Sequence, residues 1–350
     1  MIVTQYSDLI GRTPLLEFVR LENGTRYLLK LEQCNPTGSM KIRMARQMVL
    51  DALADGRLPQ GGRIVESTSG NTGLGLAVVA AELGLRFTAV VDHHAAVDKI
   101  RAMEAMGTEL VYVAEDGDDS LNTAAREELA EAMAAADPEA FFTEQHNNDS
   151  NPAAYAALAQ ELLLDLPRVD YMICAVGTGG SLFGTARELA RLGQRTQVIG
   201  VEPVGSIAFG GPGGDYWQSG TGTPEGAIIG TAVDYELLDE GVKVSDVDAF
   251  ATARVIARRT GLLIGGSSGG CVHAALQKLP DLPDGSTVVS IVCDGGEKYL
   301  DTVFDEQWMA VRGLLDPDAE EAVGAMLDRL GVRSARSFGS MRPRAEAALL

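Results

Sequence analysis

The sequence has little positive charge. Its 350 residues contain 29 lysine and arginine residues against 49 aspartate and glutamate residues, which gives a formal net charge of −20. A surface of this sign argues against unaided binding to nucleic acid or to an anionic membrane. The acidity itself is explained by solubility. No nucleic-acid partner is therefore expected.

The sequence also lacks a predicted leader and a long hydrophobic run. Its first residues, MIVTQYSDLIGRTP, show no basic region followed by an apolar run, so no signal peptide is predicted. The most apolar window, residues 73–91, is interrupted by Glu82 and Arg86. It divides better into a buried helix, a stop at Gly84 and a strand than into a membrane span. We expect no membrane association and a cytoplasmic location.

Cysteine or histidine clusters with metal-binding spacing are missing too. The four cysteines are scattered and form no C-x-x-C pair, namely Cys34, Cys174, Cys271 and Cys293. Cytosolic thiols are the simplest account of such a pattern. The run Asp-His-His at 92–94 has no matching third ligand, so no metal site is expected.

Short apolar strands that alternate with longer helical stretches make up most of the chain. Strands are predicted at residues 27–33, 62–67, 86–92, 108–114, 169–177, 196–203 and 286–296. Alanine- and leucine-rich stretches between them, such as 120–136, show helical periodicity. Strands that are apolar throughout are buried on both faces. The pattern predicts an α/β fold with parallel-rich, twisted sheets flanked by helices, and the length suggests two domains.

Three glycine-rich turns follow strands and open helices. They occupy residues 66–75, 177–184 and 265–270. Backbone N–H groups of such turns converge on one point and can bind a carboxylate or a phosphate at a helix N-terminus. Helix capping alone is the alternative for each turn taken singly. In an open α/β sheet, however, ligands bind beyond the carboxyl ends of the strands, where all three turns are expected.

Lys41 lies just after the turn Asn-Pro-Thr-Gly-Ser at residues 35–39, at the start of a predicted helix. A lysine gains nothing from the positive end of a helix dipole, so its position needs another explanation. Near a phosphate-binding glycine loop, a lysine suggests a Schiff base to pyridoxal phosphate. An ordinary surface lysine is the alternative.

Five motifs in order resemble those of the cysteine synthase and cystathionine β-synthase family, the fold type II (tryptophan synthase β-like) pyridoxal-phosphate enzymes, which include siderophore-pathway synthases of diaminopropionate. The resemblance covers roughly residues 5–310 and rests on GRTPLLEF (11–18), NPTGSMKIR (35–43), STSGNTG (67–73), GTGGS (177–181) and GGSSGG (265–270). It implies pyridoxal phosphate in a cleft between two domains. It also implies a homodimer.

The resemblance assigns roles to particular residues. It implies that Lys41 forms the Schiff base and moves protons at the substrate α carbon, that Asn71 binds the cofactor's ring hydroxyl oxygen, and that Ser267 meets the pyridine nitrogen. The phosphate would be held by Gly177, Thr178, Gly179, Gly180 and Ser181. The substrate carboxylate would be bound by Ser67, Thr68, Ser69, Asn71, Thr72 and Gln145.

The implied domains are a large cofactor-binding domain (1–40 and 151–315), a smaller, mobile substrate-loop domain (41–150) and a C-terminal helical tail (316–350). The implied reaction is β-replacement on L-serine or on O-acetyl- or O-phosphoserine, through an α-aminoacrylate intermediate to which a nucleophilic co-substrate adds. A neutral serine at the ring nitrogen agrees with loss of a β-leaving group.

Departures from the family pattern leave the nucleophile open. Thr37 stands where the family has glycine, Ile42 where it has aspartate, and residues 221–235 differ where substrate access is usually decided. One alternative is an amine-accepting synthase of the 2,3-diaminopropionate pathway. Another is a serine or cysteine β-lyase, in which the intermediate is released and hydrolysed.

Overall fold

The computed structural model describes residues 2–92, 96–113 and 123–332. Ten strands occur in this part of the chain: β1 (Leu15–Arg20), β2 (Arg26–Leu31), β3 (Arg63–Ser67), β4 (Arg86–Val91), β5 (Glu109–Tyr112), β6 (Ala140–Phe142), β7 (Tyr171–Ala175), β8 (Gln197–Pro203), β9 (Glu240–Val244) and β10 (Thr287–Val292).

Eleven α-helices connect and cover these strands in the same described ranges. They are α1 (Lys41–Asp55), α2 (Asn71–Leu83), α3 (Val97–Ala105), α4 (Thr123–Ala136), α5 (Ser150–Ala153), α6 (Ala156–Asp165), α7 (Gly180–Arg191), α8 (Asp246–Thr260), α9 (Gly266–Lys278), α10 (Glu306–Val311) and α11 (Pro317–Arg329). None of the helices in these ranges combines the length and apolar character needed to cross a membrane.

The strands form two sheets. The larger has six strands in the order β1-β2-β10-β7-β8-β9, and the smaller has four in the order β5-β4-β3-β6. All neighbouring strands are parallel except β1 and β2, which form an antiparallel hairpin at one edge. The predicted α/β fold with parallel-rich sheets and flanking helices is confirmed.

Three strands were not predicted: β1, β6 and β9. Each lies at a sheet edge. An edge strand is exposed along one side, so its sequence does not need the continuous apolar run by which a central strand is recognised. The sequence EGVKV of β9 shows this, since two of its five residues are charged and only Val244 is buried.

Helix α1, which begins at Lys41, lies between the cores of the two sheets. Its residues Met44 and Met48, with the preceding Met40, pack into the core of the larger sheet. Ala45 and Val49, from its other side, pack into the core of the smaller sheet. All three methionines are buried.

Close packing of two helices accounts for Ile42, which stands where the family has aspartate. It is fully buried, and a Cβ added to Gly75 of α2 would lie 3.1 Å from the Ile42 Cα atom. Helices α1 and α2 therefore pack backbone to backbone at this point. An aspartate in the same place would bury an uncompensated charge, which is costly.

A buried ion network fixes the first turn of α1. Arg43 donates to Glu32 through Nε (2.6 Å) and to Glu161 through Nη1 (2.8 Å). Lys30 of β2 completes the network with an ion pair to Glu161 at 2.7 Å and a hydrogen bond to the Thr13 carbonyl oxygen, also at 2.7 Å. Two residues after Lys41, the chain is thus tied to β2 and α6 of the larger sheet.

The C-terminal helix belongs to the core of the larger sheet. In α11, Val323 and Leu327 are buried in that core. Asp316 caps the helix by accepting hydrogen bonds from the backbone N–H groups of Asp318 (2.9 Å) and Ala319 (3.1 Å). Residues 333–350 of the predicted helical tail lie outside the described residues.

Candidate active site

Lys41 differs from every other lysine in the chain. All six lysines lie within the described residues. Five have side-chain partners: Lys30 with Glu161, Lys99 with the Tyr299 ring, Lys243 with Glu202, Lys278 with Glu240, and Lys298 with Asn71. Among the residues that the structure describes, the Lys41 side chain has no hydrogen bond or ion pair, while its backbone N–H donates to Ser39 Oγ at 3.1 Å, so the amine of this half-buried residue is available to a ligand.

The surroundings of Lys41 favour a reactive amine. Burial lowers the pKa of its ammonium group, while Cys293, Glu66 and Asp294 act in the opposite direction. A lowered pKa increases the fraction of neutral amine, the form that attacks a carbonyl carbon or accepts a proton. Glu66 lies in β3 of the smaller sheet, and Cys293 follows β10 of the larger one. Lys41 thus lies near the carboxyl ends of strands from both sheets.

The turn between β3 and α2 carries hydroxyl groups, of which Thr68 serves the turn itself. Thr68 Oγ1 accepts hydrogen bonds from the backbone N–H groups of Gly73 (3.1 Å) and Gly70 (3.4 Å). Ser69 Oγ accepts a longer hydrogen bond from Arg126 Nη1 at 3.4 Å. Ser67 is the buried last residue of β3. The capping alternative therefore describes the Thr68 side chain in this structure.

Thr72 and Gln145, which share a predicted role in binding the substrate carboxylate, are hydrogen-bonded to each other. Thr72 Oγ1 donates to Gln145 Oε1 at 2.8 Å. The amide Nε2 of Gln145 donates in turn to Glu66 Oε1 at 3.2 Å, and Thr143 Oγ1 donates to Glu66 Oε2. Burial raises the pKa of Glu66 to about 7, although these hydrogen bonds act to lower it. A buried carboxyl group therefore lies directly behind the predicted substrate loop.

Asn71, the first residue of α2, is held by two charged side chains. Its Nδ2 donates to Asp294 Oδ2 at 2.7 Å, and its Oδ1 accepts from Lys298 Nζ at 2.6 Å. Asp294 follows β10, so this contact joins the two sheets. Tyr299 donates its hydroxyl to the same Asp294 oxygen at 2.6 Å.

The turn at 177–181 leads from β7 into α7, and Gly179 adopts a left-handed φ of +86° at its N-cap. The first N–H groups of a helix have no carbonyl partner within the helix and form an anion site. Gly180 is required by packing as well, because an added Cβ would lie 2.0 Å from Asn151 Oδ1. Asn151 Nδ2 donates to Thr178 Oγ1 (3.0 Å) and to the carbonyl oxygen of Gln145 (2.7 Å). The predicted phosphate loop and substrate residues are thus connected.

Ser267 lies in the first turn of α9, since this helix begins at Gly266. The predicted turn at 265–270 is therefore largely helical. Its glycines allow close packing of α9 against α8, because a Cβ on Gly269 would lie 2.2 Å from the Ala249 carbonyl oxygen. Ser267 is buried, and its neighbour Ser268 accepts a hydrogen bond from the Cys293 N–H at 2.9 Å.

His146 lies beside Gln145 and supports the loop that departs from the family pattern. Its carbonyl oxygen accepts a hydrogen bond from the Thr231 N–H at 3.0 Å. Burial, with a smaller contribution from the charge of Lys41, lowers the pKa of the His146 imidazole to about 4. The imidazole is therefore neutral at physiological pH.

The glycine-rich segment 206–230 is fastened to the rest of the protein by ordered contacts. Gly222 N–H and Thr221 Oγ1 both donate to the Val176 carbonyl oxygen, at 2.7 and 2.8 Å. The Trp217 ring meets the Trp308 ring edge to face at 5.5 Å, and the Arg312 guanidinium lies 4.8 Å from the first ring and 4.4 Å from the second.

Most of the chain matches one known protein family. The sequence profile of the family described as "Pyridoxal-phosphate dependent enzyme" matches residues 6–294, which include Lys41 and all three glycine-rich turns. The chain belongs to this family. The cofactor is pyridoxal phosphate, and the resemblance stated from the motifs is confirmed.

Relatives place the enzyme among those that substitute at the β carbon. A "Putative cysteine synthase" of Sinorhizobium fredii is 52% identical over 94% of this chain and 97% of its own length. An N-(2-amino-2-carboxyethyl)-L-glutamate synthase of Ralstonia nicotianae is 33% identical over 89% and 92%. The crystal structure of an O-acetylserine-dependent cystathionine β-synthase from Helicobacter pylori matches with a TM-score of 0.78 and 32% identity, over 86% of this chain and 98% of the other. The protein is a pyridoxal-phosphate-dependent β-substituting enzyme.

The residues of this pyridoxal-phosphate enzyme fit the cofactor. The helix N-terminus of α7 offers N–H groups to a phosphate, the amine of Lys41 is available for a carbonyl carbon, and the Ser267 hydroxyl is buried nearby in the first turn of α9. Buried polar atoms with no partner among the described residues also remain, including Thr37 Oγ1 and Asp294 Oδ1. Such atoms are uncommon in folded proteins and agree with a polar ligand.

Sequence reasoning did not assign Glu66, Asp294 or Lys298 to the site. Glu66 lies next to the end of an apolar strand, and Asp294 and Lys298 follow one, which was the available signal. Lys298 even repeats the setting of Lys41, since it follows a strand and a turn that contains glycine. No three His, Cys, Asp or Glu side chains are grouped to hold a metal ion in residues 2–92, 96–113 and 123–332. His93 and His94 of the run at 92–94 lie outside those ranges.

Proposed function

We propose that the enzyme replaces the β substituent of L-serine, or of O-acetyl- or O-phosphoserine, with Lys41 as the residue that holds pyridoxal phosphate covalently. The observation that carries this assignment is the free amine of Lys41 among six lysines of which five are engaged. The phosphate would lie at residues 177–181 and the ring nitrogen at Ser267.

Bound pyridoxal phosphate supplies an electron sink for bonds at the substrate α carbon. The protein supplies orientation and proton transfer. Ser69, Thr72 and Gln145 would bind the substrate carboxylate, with Ser67, Thr68 and the backbone of the turn behind them. The Lys41 amine, with its pKa lowered by burial, would accept the α proton. The neutral Ser267 hydroxyl places no compensating negative charge at the ring nitrogen, which agrees with departure of the β substituent.

The test of Lys41 is chemical trapping. Borohydride reduction of the holoenzyme should fix the cofactor to one lysine, and peptide mass spectrometry should find it on Lys41. In Lys41→Ala, we expect no fixed cofactor and turnover lower by roughly 10³-fold or more, since one group serves proton transfer and attachment.

The control for this experiment should be Lys278→Ala. Lys278 is paired at the surface with Glu240, whereas Lys30 belongs to the buried network of Arg43 and would disturb folding. Cofactor fixed to Lys298 or Lys99 in the wild-type protein would overturn the assignment.

A second candidate concerns the co-substrate. The 33% identity to a synthase of N-(2-amino-2-carboxyethyl)-L-glutamate favours an amine as the nucleophile, while the 52% identity to a putative cysteine synthase favours sulfide. Products should be identified by mass spectrometry after incubation with sulfide, homocysteine, glutamate or no nucleophile. Pyruvate as the product under every condition would assign the β-lyase reaction instead.

Domain organisation and assembly are part of the proposal. We assign residues 1–40 and 151–315 to the cofactor domain, 41–150 to a smaller mobile domain and 316–350 to a tail. The smaller sheet, whose strands lie between Arg63 and Phe142, supports this division. The homodimer rests on the family resemblance, and the cytoplasmic location stays a prediction from the sequence. Light scattering coupled to size-exclusion chromatography tests the homodimer, and a monomer mass would contradict it.

A further inference from the structure

The side-chain amide of Asn71 is hydrogen-bonded to a charged group at each end. Lys298 Nζ lies 2.6 Å from Asn71 Oδ1, and Asp294 Oδ2 lies 2.7 Å from Asn71 Nδ2. An ammonium group can only donate hydrogen bonds and a carboxylate can only accept them. Rotating the amide by half a turn would face donor with donor and acceptor with acceptor. The two charges therefore permit one orientation of the amide.

This orientation leaves one N–H of Asn71 for a ligand. The amide nitrogen carries two N–H groups, and Asp294 accepts one of them. The oxygen is already bonded to Lys298. The side chain is half-buried at the first position of α2, the helix that opens at the predicted substrate loop. What Asn71 can offer to a bound molecule is thus a donor for an acceptor oxygen.

The residue on the lysine side is itself fixed. Lys298 Nζ also donates to the Thr37 carbonyl oxygen at 2.6 Å. Thr37 has a φ of +67°, in the left-handed region that a β-branched residue rarely adopts. Strained backbone of this kind persists where the surroundings hold it, and it concentrates at functional sites. The four-residue distance from Thr37 to Lys41 places this strain at the site.

The residue on the carboxylate side is fixed as well. Asp294 Oδ2 accepts a second hydrogen bond from the Tyr299 hydroxyl at 2.6 Å. Asp294 also pairs through its backbone with Ser39. Gly265 makes room for this carboxylate, because a Cβ there would lie 2.1 Å from Asp294 Oδ1. Movement of the Asp294 carboxylate would therefore disturb its close contact with the backbone of Gly265.

We propose that Lys298 and Asp294 are positioning residues, which act on the ligand through Asn71 by presenting its second N–H to an acceptor oxygen. The inference rests on the proposed function, since it takes Asn71 as a ligand contact. It assigns to Lys298 a task other than covalent attachment. It also gives the charge of Lys298 a role, since an apolar side chain at 298 would leave Asp294 alone to orient the amide.

A double-mutant cycle on the holoenzyme tests this. The variants are Lys298→Met, Asn71→Ala and the double variant, with Lys278→Met as a control for loss of one positive charge. Two quantities should be measured: the rate at which pyridoxal phosphate leaves on dilution, and the dissociation constant of L-serine from the change in the visible spectrum. Residues that act through one another give non-additive effects.

We expect Lys298→Met to raise at least one of these two quantities by roughly 10-fold in the wild-type background, the effect of losing one hydrogen bond near a charged group. In the Asn71→Ala background the same change should have less than about a 2-fold effect. Lys298→Arg, which keeps N–H donors, should restore much of the loss. Lys278→Met should behave as wild type.

Two results would overturn the inference. An equal factor for Lys298→Met in both backgrounds would show that Lys298 acts on the ligand without Asn71. If Asn71→Ala changes one of the two quantities and Lys298→Met changes neither, Lys298 is not needed to position the Asn71 amide. By contrast, no effect of Asn71→Ala itself would refute the proposed role of Asn71 as a ligand contact. Should Lys298→Met not fold, the same cycle with Lys298→Gln, which removes the charge and keeps a polar side chain, decides the same question by the same two outcomes.

Discussion

Replacing Glu66 with glutamine should change how the stability of the enzyme depends on pH. Glu66 is 2% exposed, and burial raises its pKa from the ordinary 4.5 to about 7. Between these two values the folded protein keeps a proton that the unfolded chain has lost. Stability contributed by this group therefore falls as pH rises through the interval, and it is level below and above it.

The size of the effect follows from the two pKa values. A tenfold difference in proton affinity corresponds to about 1.4 kcal/mol, so a pKa raised from 4.5 to about 7 corresponds to about 3 kcal/mol. Glutamine does not titrate. The free energy of unfolding of Glu66→Gln, relative to wild type, should therefore increase by about 3 kcal/mol from pH 4.5 to pH 8.

Urea unfolding followed by circular dichroism, at saturating pyridoxal phosphate and at pH 5, 6, 7 and 8, measures this difference. The groups that face Glu66 are unchanged in the variant, namely the donors Thr143 and Gln145 and the charges of Glu127 and Lys41. Glu139→Gln, at an exposed ion pair with Arg86, is the matched control. Parallel stability curves for Glu66→Gln and wild type would refute the argument.

The same variant should weaken substrate binding. At pH 8, where Glu66 is ionised, its carboxylate accepts from both Gln145 Nε2 and Thr143 Oγ1, whereas a glutamine has a single carbonyl oxygen. One of the two donors loses its acceptor, and Gln145 is then less firmly aimed. We expect KM for the amino-acid substrate to rise by roughly 5- to 10-fold with a smaller change in kcat, on the usual energy of one hydrogen bond. An unchanged KM would show that Glu66 does not position Gln145 for substrate binding.

Three other changes should have distinct outcomes. Arg43→Met leaves the buried Glu32 carboxylate without its ion-pair partner and Glu161 with Lys30 alone, and it should lower the free energy of unfolding by about 3–5 kcal/mol, against less than about 1 kcal/mol for Arg57→Met at a surface pair. Gly184→Ala brings a Cβ to 2.1 Å from the Pro152 carbonyl oxygen and should destabilise by at least about 2 kcal/mol in chemical unfolding. Cys34 is the one exposed cysteine, and partial burial with the charges of Glu32 and Glu297 raises the pKa of its thiol. A thiol reagent should therefore modify one group per folded chain, faster at alkaline pH, and none in Cys34→Ser.

The central strands and the helices between them could be predicted because burial on both faces forces an apolar sequence. Strands β3, β4, β7, β8 and β10 were found in this way. The edge strands β1, β6 and β9 were missed because exposure frees their sequences from that requirement, whereas β5, also at an edge, was recognised from the apolar run at 108–114. Partition of the strands into two sheets was not visible either, since a run of apolar residues does not state which neighbour it pairs with.

The site was predictable where a local sequence carries its own chemistry. Lys41 was singled out by its turn, and the three loops by their glycines. Glu66, Asp294 and Lys298 were not, because their meaning depends on contacts between the two sheets. Asn71 and Asp294 are more than 200 residues apart in sequence yet 2.7 Å apart in space. Family motifs named Asn71, but only tertiary contacts show what holds it.

The pairing of Trp217 with Trp308 provides a built-in optical probe. These are the two tryptophans of the chain, and they form a single cluster with Arg312. One of them belongs to the glycine-rich segment 206–230, and the other to α10 in the frame of the larger sheet. Intrinsic fluorescence excited selectively at tryptophan therefore comes from one place. If the segment lifts away from α10 when a substrate enters or a product leaves, the emission will register that event without any label.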